Sequence, residues 1–384
     1  MMGNGEALPG ATIYQVAERA GVSIATVSRT FGDPSKVTQR TRDSVVAAAR
    51  ELRYIPAAAA RALAVRRSRA LGVVLPHIAG PYYAELLVGF EVAASEHGLS
   101  VVLVLAKPDE DRTAAVLDLL GRVDGVAFMA RSGAHDDVVR QVAELRPTVS
   151  VARGEVKGVD AFYAENRSSA RMLTEHLISH GHRRIGFVGR PEEGSDIGRR
   201  QRGYLDALDA AGLSPAQQFP VDPIESAGLE VAEQLLAAQR RLAGSRREDG
   251  GEHGAAEPTA DDRHVGDPAM RGIGELDALM CGNDELALAI IARLTAAGHD
   301  VPGQLAVTGW DDTVTARYLS PGLSTVRQDV AQLGALAARR LAARIDGDPA
   351  QDPVTVDSHL VLRESCGCAA EADSLAPRFA ALTA

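Results

Sequence analysis

Near the N-terminus, two short amphipathic runs stand on either side of a single glycine. Ile13, Val16, Ala17 and Ala20 recur at helical spacing after Thr12, and Gly21 closes the run. Thr12 has the side chain of a helix N-cap, and glycine accepts the left-handed backbone that often ends a helix. Val22 follows as a turn plug. Ser23 then caps a second helix over 24–31, with Val27 and Phe31 on its apolar side. Two helices joined by so tight a turn form a helix-turn-helix, whose second helix is usually the one that enters the DNA major groove. A third helix over 41–54 brings Val45, Val46, Ala49 and Leu52 to close a small core.

Charge is distributed to suit such a head. The 384-residue chain carries a formal net charge of -10, yet residues 1–69 hold 11 Lys/Arg against 5 Asp/Glu, leaving 30 against 46 for the rest. A basic head on an acidic body suits a protein that touches nucleic acid at one end only. At 46% apolar residues, a chain of this length supports a small head and a larger body. The three cysteines, Cys281, Cys366 and Cys368, make no even disulfide framework. Nothing near Cys366-Gly367-Cys368 in the sequence completes a four-ligand set, so neither a metal nor a cofactor is expected. There is no run of 18 apolar residues and no signal-peptide core, which makes the cytoplasm the expected compartment.

The chain divides into a flexible N-terminus (1–10), the helix-turn-helix domain (11–56), a hinge helix and linker (57–69), an effector-binding and dimerisation domain (70–368) and a flexible C-terminus (369–384). The hinge is Ala-rich and contains Arg61 and Leu63, with Arg66, Arg67 and Arg69 following. It is too short to be helical alone and is expected to fold on DNA. From Leu71 onward, strands alternate with helices. Strands are expected at 71–75, 100–105, 125–129, 148–151, 184–188, 278–281, 305–309 and 354–363. This pattern is α/β, and there are too many strands for one open sheet, so two doubly wound parallel sheets are expected. Residues 244–272 break the rhythm with six glycines, seven acids and four arginines, and read as a disordered surface insertion.

The run Val22-Ser23-Ile24-Ala25-Thr26-Val27-Ser28-Arg29, followed by Thr41-Arg42 and Tyr54-Ile55-Pro56, resembles the head of the lactose-repressor (LacI/GalR) family. In the body, Gly181-His182-Arg183-Arg184-Ile185, Asn283-Asp284-Glu285, Gly309-Trp310-Asp311-Asp312 and Leu360-Val361-Leu362-Arg363-Glu364-Ser365 extend the likeness over nearly the whole chain. The resemblance implies a two-lobed body like a periplasmic sugar-binding protein, crossed three times by the chain, with a small effector in the cleft. Carried over, lobe one takes roughly 70–180 and 327–352, and lobe two roughly 181–326 and 353–368. The implied partners are a palindromic operator, a second copy of the chain (a tetramer being the further option) and an effector. The dimer faces fall near 83–94 and 285–297. The effector is a carbohydrate or, alternatively, a purine or sugar-phosphate co-repressor.

On the second helix, Ile24, Ala25 and Ser28 lie near the N-terminus and can face base edges. Ile24 and Ala25 could read only a thymine methyl or shape, whereas Arg29 can pair with guanine or phosphate. Ser23, Thr26, Ser28 and Thr41 can donate to phosphates. The family's base-reading positions match Ile24, Ala25 and Arg29, and Thr12, Tyr54 and Arg61 complete the expected DNA contacts. Leu63 matches the family's wedge, which paired hinge helices push into the minor groove.

Ligand clefts in doubly wound folds lie beyond the C-terminal ends of the strands. Arg200, Asn283 and Asp311 fall at such positions and match the family's effector contacts, while Tyr82, Tyr83 and Trp310 offer rings to stack on a sugar. Asp284 is expected to cap the helix that follows it. Glu165 stands where the family commonly has Asp, and Asn166 is kept. No Gly-x-Gly-x-x-Gly follows the first strand, and neither a phosphate-binding loop ending in Gly-Lys-Ser/Thr nor a Gly-x-Ser-x-Gly elbow is present. The chain is therefore expected to be a regulator, foremost a repressor, and not an enzyme, with a sugar-binding protein without DNA function as the remote alternative.

Overall fold

The computed structural model describes residues 11–32, 34–54, 67–107, 110–249, 273 and 275–369. The expected N-terminal tail, the hinge residues Arg61 and Leu63, the 250–272 part of the insertion and nearly all of the C-terminal tail lie outside the described residues. The chain divides into residues 1–70 with 122–124, and residues 71–121 with 125–384.

In the head, α1 (Ile13–Ala20), α2 (Ile24–Gly32) and α3 (Gln39–Glu51) follow the expected order. Thr12 Oγ1 accepts from Gln15 N at 3.4 Å while Gln15 Oε1 accepts from Thr12 N at 2.8 Å, a reciprocal cap. Gly21 ends α1 at φ +67, in the left-handed region. Ser23 Oγ accepts from Thr26 N at 3.1 Å at the start of α2. The third helix begins before the expected Thr41, because Thr38 caps it by accepting from Thr41 N at 3.4 Å. Val16, Val27 and Val45 are wholly buried at the centre, with Ala17, Ala48 and Ala49 around them.

The body runs β1 (Ala70–Leu75), α4 (Pro81–Glu96), β2 (Ser100–Leu105), α5 (Thr113–Leu119), β3 (Gly125–Met129), α6 (Asp136–Leu145), β4 (Thr148–Val151) and β5 (Asp160–Ala164). It continues with α7 (Arg167–Ser179), β6 (Ile185–Val188), α8 (Asp196–Ala210), β7 (Gln218–Phe219), α9 (Glu225–Asp249), β8 (Ala278–Cys281) and α10 (Asp284–Ala296). The last elements are β9 (Ala306–Thr308), α11 (Val314–Tyr318), β10 (Thr325–Gln328), α12 (Val330–Ile345), β11 (Val354–Val356) and β12 (Ser358–Val361).

Two sheets result, ordered β11-β5-β4-β3-β1-β2 in lobe one and β7-β6-β8-β9 in lobe two, with β10 and β12 as an antiparallel pair. Strands β1, β3, β4 and β5 are buried at every position, β1 and β3 as the continuous apolar runs expected between two helical layers. Strand order reverses between β1 and β3 in one sheet and between β6 and β8 in the other, and crevices open at such reversals. Helices α4 and α12 cross where each offers a glycine. A Cβ on Gly89 would collide with Ala331 O, and one on Gly334 with Leu86 O.

The lobe boundaries differ from those expected. Helix α7 belongs to lobe two, where Ala170, Leu173 and Leu177 pack with Ile185, Phe187 and Tyr204. Strand β5, which the sequence reading passed over, already completes lobe one before α7 begins. The expected strand over 354–363 is two strands: β11 pairs with β5 in lobe one, and β12 pairs with β10. The chain thus passes between lobes at 165–166, at Asp329 and at Asp357. Helix α9 runs to Asp249, into the expected insertion, on a stretch of good helix formers (Ala, Gln, Arg, Leu).

Candidate functional site

The first candidate surface is on the head. Ile24 is 41% exposed, and Ala25, Ser28 and Arg29 beside it on α2 are exposed as well. Isoleucine at the start of a helix whose core contacts are made by Val27 and Thr30 is not core material. Ser23 Oγ and Thr26 Oγ1 lie 2.9 Å apart, as do the Thr38 and Thr41 hydroxyls, giving two hydroxyl pairs at two helix starts. Tyr54 differs from the rest of the expected set. It is half-buried, with its ring 6.2 Å from Phe31, and serves the edge of the head core. Tyr14, 67% exposed on α1, went unremarked in the sequence although its place two residues after the cap marks it as outward-facing.

The second lies in the body, where a cavity of about 500 Å³ opens beyond the strand ends of both lobes. Tyr82, Tyr83, Arg200, Asn283 and Asp311 line it, as expected. Trp310 does not. Its ring is fully buried in the lobe-two core with Ile185, Phe187 and Tyr204, and Arg200 Cζ stands 4.5 Å above it. The tryptophan expected to stack on a ligand instead supports the arginine that reaches the cavity.

Lobe two holds its polar side chains firmly. Arg200 is only 4% exposed; its Nε donates to Asn166 Oδ1 at 2.7 Å and its Nη1 to Gly282 O at 2.5 Å. Asp311 takes φ +110, and its Oδ1 accepts from Gln328 Nε2. Burial pushes the Asp311 carboxyl well above the usual carboxylate range, although Arg200 pulls the other way. Asn283, not Asp284, caps α10: its Oδ1 accepts from Leu286 N at 3.1 Å, and its Nδ2 donates to Pro223 O at 3.1 Å. Asp284 is fully buried, accepting from Thr313 N and Thr325 Oγ1, both at 2.7 Å, and burial raises its carboxyl to about 7. Glu165 caps α7, taking Ser168 N and Ser169 N at 2.8 Å each, so the departure at this position preserves a helix start.

Lobe one is more open-handed. Tyr83 donates its hydroxyl to Ala130 O at 2.8 Å and is edge-on to Tyr82 at 5.1 Å. The Tyr82 hydroxyl, Ser132 Oγ and Arg153 Nη1 are buried with no hydrogen-bond partner among the described residues, and all three residues line the cavity. Across the cleft, Arg131 Nη2 donates to Asp222 Oδ1 at 2.8 Å, and its Nη1 is 3.7 Å from Glu192 Oε1. Sequence reasoning missed Arg131, Ser132, Arg153 and Asp222, and noted Asn166 without a role. The first three directly follow the expected strands 125–129 and 148–151, the same signal that singled out Asn283. Sequence reasoning also found nothing to join Cys366 and Cys368, yet α7 places His176 and His180 against them.

Comparison with known proteins bears on both surfaces. Residues 12–57 match the lacI family of bacterial regulatory proteins, 68–238 the periplasmic binding proteins and sugar binding domain of the LacI family, and 174–366 a periplasmic binding protein-like domain. The transcriptional repressor PurR of Mannheimia succiniciproducens is 29% identical over 365 residues, 92% of this chain and 98% of that protein. The regulator CelR of Thermobifida fusca is 31% identical over 367 residues, again 92% of this chain and 98% of the relative. Among solved structures, the lac repressor dimer bound to operator and the anti-inducer ONPF aligns with a TM-score of 0.75 at 25% identity, over 93% of this chain and 99% of that one. A complex of CelR with cellobiose aligns at 0.61 and 28% identity, over 92% and 99%.

Proposed function

The chain belongs to the LacI family of bacterial regulators, is a ligand-responsive DNA-binding protein and not an enzyme, and on that premise we propose that it represses transcription as a dimer on a palindromic operator. The observation that carries the reading is the exposed first turn of α2 in a closed three-helix head. Ile24 and Ala25 meet base methyls, Arg29 pairs with a guanine edge or a phosphate, and Thr12, Ser23, Thr26, Ser28 and Thr41 fix register on the backbone. Arg61 and Leu63 belong to the hinge that enters the minor groove. Two such heads match two half-sites related by the symmetry of the operator. Val88 and Val92 on α4, with Leu103 and Leu105 on edge strand β2, remain exposed and supply an apolar dimer face. The apolar side of α10, the other expected face, is consumed by the lobe-two core.

The body cavity receives the effector, held by Tyr82, Tyr83, Arg200, Asn283 and Asp311. Its lining offers five Lys/Arg against seven Asp/Glu, a balance that favours an uncharged ligand over a sugar phosphate. Two uncharged classes fit. The recurrence of repressors named PurR among the relatives favours a purine co-repressor over the carbohydrate first expected. The cellobiose complex of CelR supports the carbohydrate.

The test is fluorescence anisotropy of the full chain on a palindromic fragment drawn from upstream of its own gene, against a scrambled duplex at moderate salt. It is run without ligand and with guanine, hypoxanthine, cellobiose or glucose 6-phosphate. Preference for the palindrome and a shift with one uncharged compound are expected. Equal binding to both duplexes overturns the DNA reading, and a response to the sugar phosphate alone overturns the reading of the cavity.

A further inference from the structure

Helix α7 finishes on two histidines one turn apart. His176 and His180 leave the same side of the helix, as residues four apart must, and their ring centroids are 4.5 Å from each other. After β12 the chain returns to this end through the short turn Glu364–Cys366. Gly367, at φ +97, then bends the backbone so that Cys368 faces the helix along with Cys366. A Cβ at Gly367 would also stand 3.5 Å from His180 Nδ1.

Four side chains separated by some 190 positions in the sequence therefore converge. Cys366 Sγ lies 3.3 Å from His176 Nε2, Cys368 Sγ 3.4 Å from the same nitrogen, and Cys368 Sγ 3.6 Å from His180 Nε2. The ligand atoms of His176, His180 and Cys368 all lie within 4.8 Å of one another. Zinc bonds of about 2.3 Å to sulfur and about 2.0–2.1 Å to nitrogen, in a tetrahedron, put neighbouring ligand atoms about 3.5 Å apart. Three of the six separations are close to such edges; Cys366, within reach of His176 but outside the set that closes to 4.8 Å, completes the tetrahedron by a small shift toward His180.

We propose that His176, His180, Cys366 and Cys368 form a tetrahedral zinc site that pins the C-terminal segment to the end of α7. Two nitrogens and two sulfurs select a borderline-soft ion that favours four ligands, which is zinc rather than magnesium or calcium. The surroundings suit the part. Ser324 Oγ donates to Cys366 Sγ at 3.0 Å, the kind of outer hydrogen bond that steadies a thiolate ligand. His180 is exposed and leaves an entry path from solvent. The opposite end of α7 follows Asn166, which holds Arg200 at the cleft, so the metal anchors the helix that backs the cavity wall.

The test uses the full chain, purified under reducing conditions without metal-affinity resin, supplied with zinc and freed of excess. Elemental analysis is expected to find one zinc per chain, and cobalt substitution to give the visible bands of tetrahedral, thiolate-bound cobalt. His180→Ala changes an exposed position, and Cys368→Ser a near-isosteric one at the edge of the lobe-two core. Each is expected to weaken zinc affinity at least about tenfold. A chelator lowers the Tm of the unmodified chain and leaves that of both variants where it was. Substoichiometric zinc in a chain whose thiols titrate as reduced overturns the proposal. So does zinc retained unchanged by both variants, or a Cys366–Cys368 disulfide that persists in reducing buffer.

Discussion

The two walls of the body cavity are built on different terms. On the lobe-two wall, Arg200, Asn283 and Asp311 each already hold a partner within the protein. On the lobe-one wall, the Tyr82 hydroxyl, Ser132 Oγ and one guanidinium nitrogen of Arg153, whose other terminal nitrogen bridges Asp136, are buried with no partner among the described residues. Leaving such a group unpaired costs about 1–3 kcal/mol. The contrast assigns different work to each side. Lobe two is a pre-set frame whose polar groups fix geometry before any ligand arrives, and lobe one is the side that gains hydrogen bonds when a ligand fills the space.

If that division holds, substitutions on the lobe-two wall register first as lost stability, and those on the lobe-one wall as lost affinity. The largest effect is expected from Arg200→Ala. It strips the Asn166 carboxamide and Gly282 O of their donor and uncovers Trp310, at a cost of about 2–4 kcal/mol in urea unfolding as well as effector binding. A cost below about 1 kcal/mol would place Arg200 with the lobe-one residues instead.

Behind the same wall, Asp284 supplies a pH dependence. Its carboxyl is held at about 7 in the folded chain against an ordinary value of 3.8, so the unfolded chain loses the proton first. The Asp284 contribution is fully present below about pH 4 and is lost as pH rises toward 7. Asp284→Asn should flatten the fall in Tm over that interval, and an unchanged profile would remove Asp284 from the frame.

Tyr82→Phe deletes only the unpartnered hydroxyl. Calorimetric titration should find effector affinity down by about five- to tenfold, roughly 1–1.4 kcal/mol, with Tm unchanged or slightly raised. A clear fall in Tm with affinity intact would invert the comparison. The smallest effect is expected from Arg131→Ala, whose bridge to Asp222 is partly exposed. It is worth about 0–1 kcal/mol in stability and should show instead as wider separation of the lobes by small-angle scattering without ligand.

Some of this wall could be read from the chain in advance. Arg200, Asn283 and Asp311 follow strands that their apolar runs announce, and ligand crevices lie beyond such strand ends. The same rule, applied to 125–129 and 148–151, reaches Arg131, Ser132 and Arg153. Trp310 shows where it stops. The tryptophan is one residue from Asp311, yet its ring turns into the core while the carboxylate faces the cavity. The sequence marks both as lying just past a strand and says nothing of which one points inward. The lobe boundaries failed for a related reason. Asp160–Ala164 opens on a charged residue and has no β-branched side chain, so no run of β-branched residues announced it as a strand, and missing it moved α7 into the wrong lobe.

The head was determined by its own residues. Its caps, its turn glycine and the valines of its core lie within some 40 positions of one another, so local periodicity and local hydrogen bonding suffice to define it. The alternation of strands and helices likewise announced a parallel α/β body. Only the tertiary structure decided what meets what. Arg200 under Asn166, Arg131 across from Asp222, and His176 beside Cys366 join positions from tens to nearly two hundred residues apart. Periodicity records which face of an element is apolar, but not which other element will cover it, and a polar site is made where separate strand ends and helix ends come together.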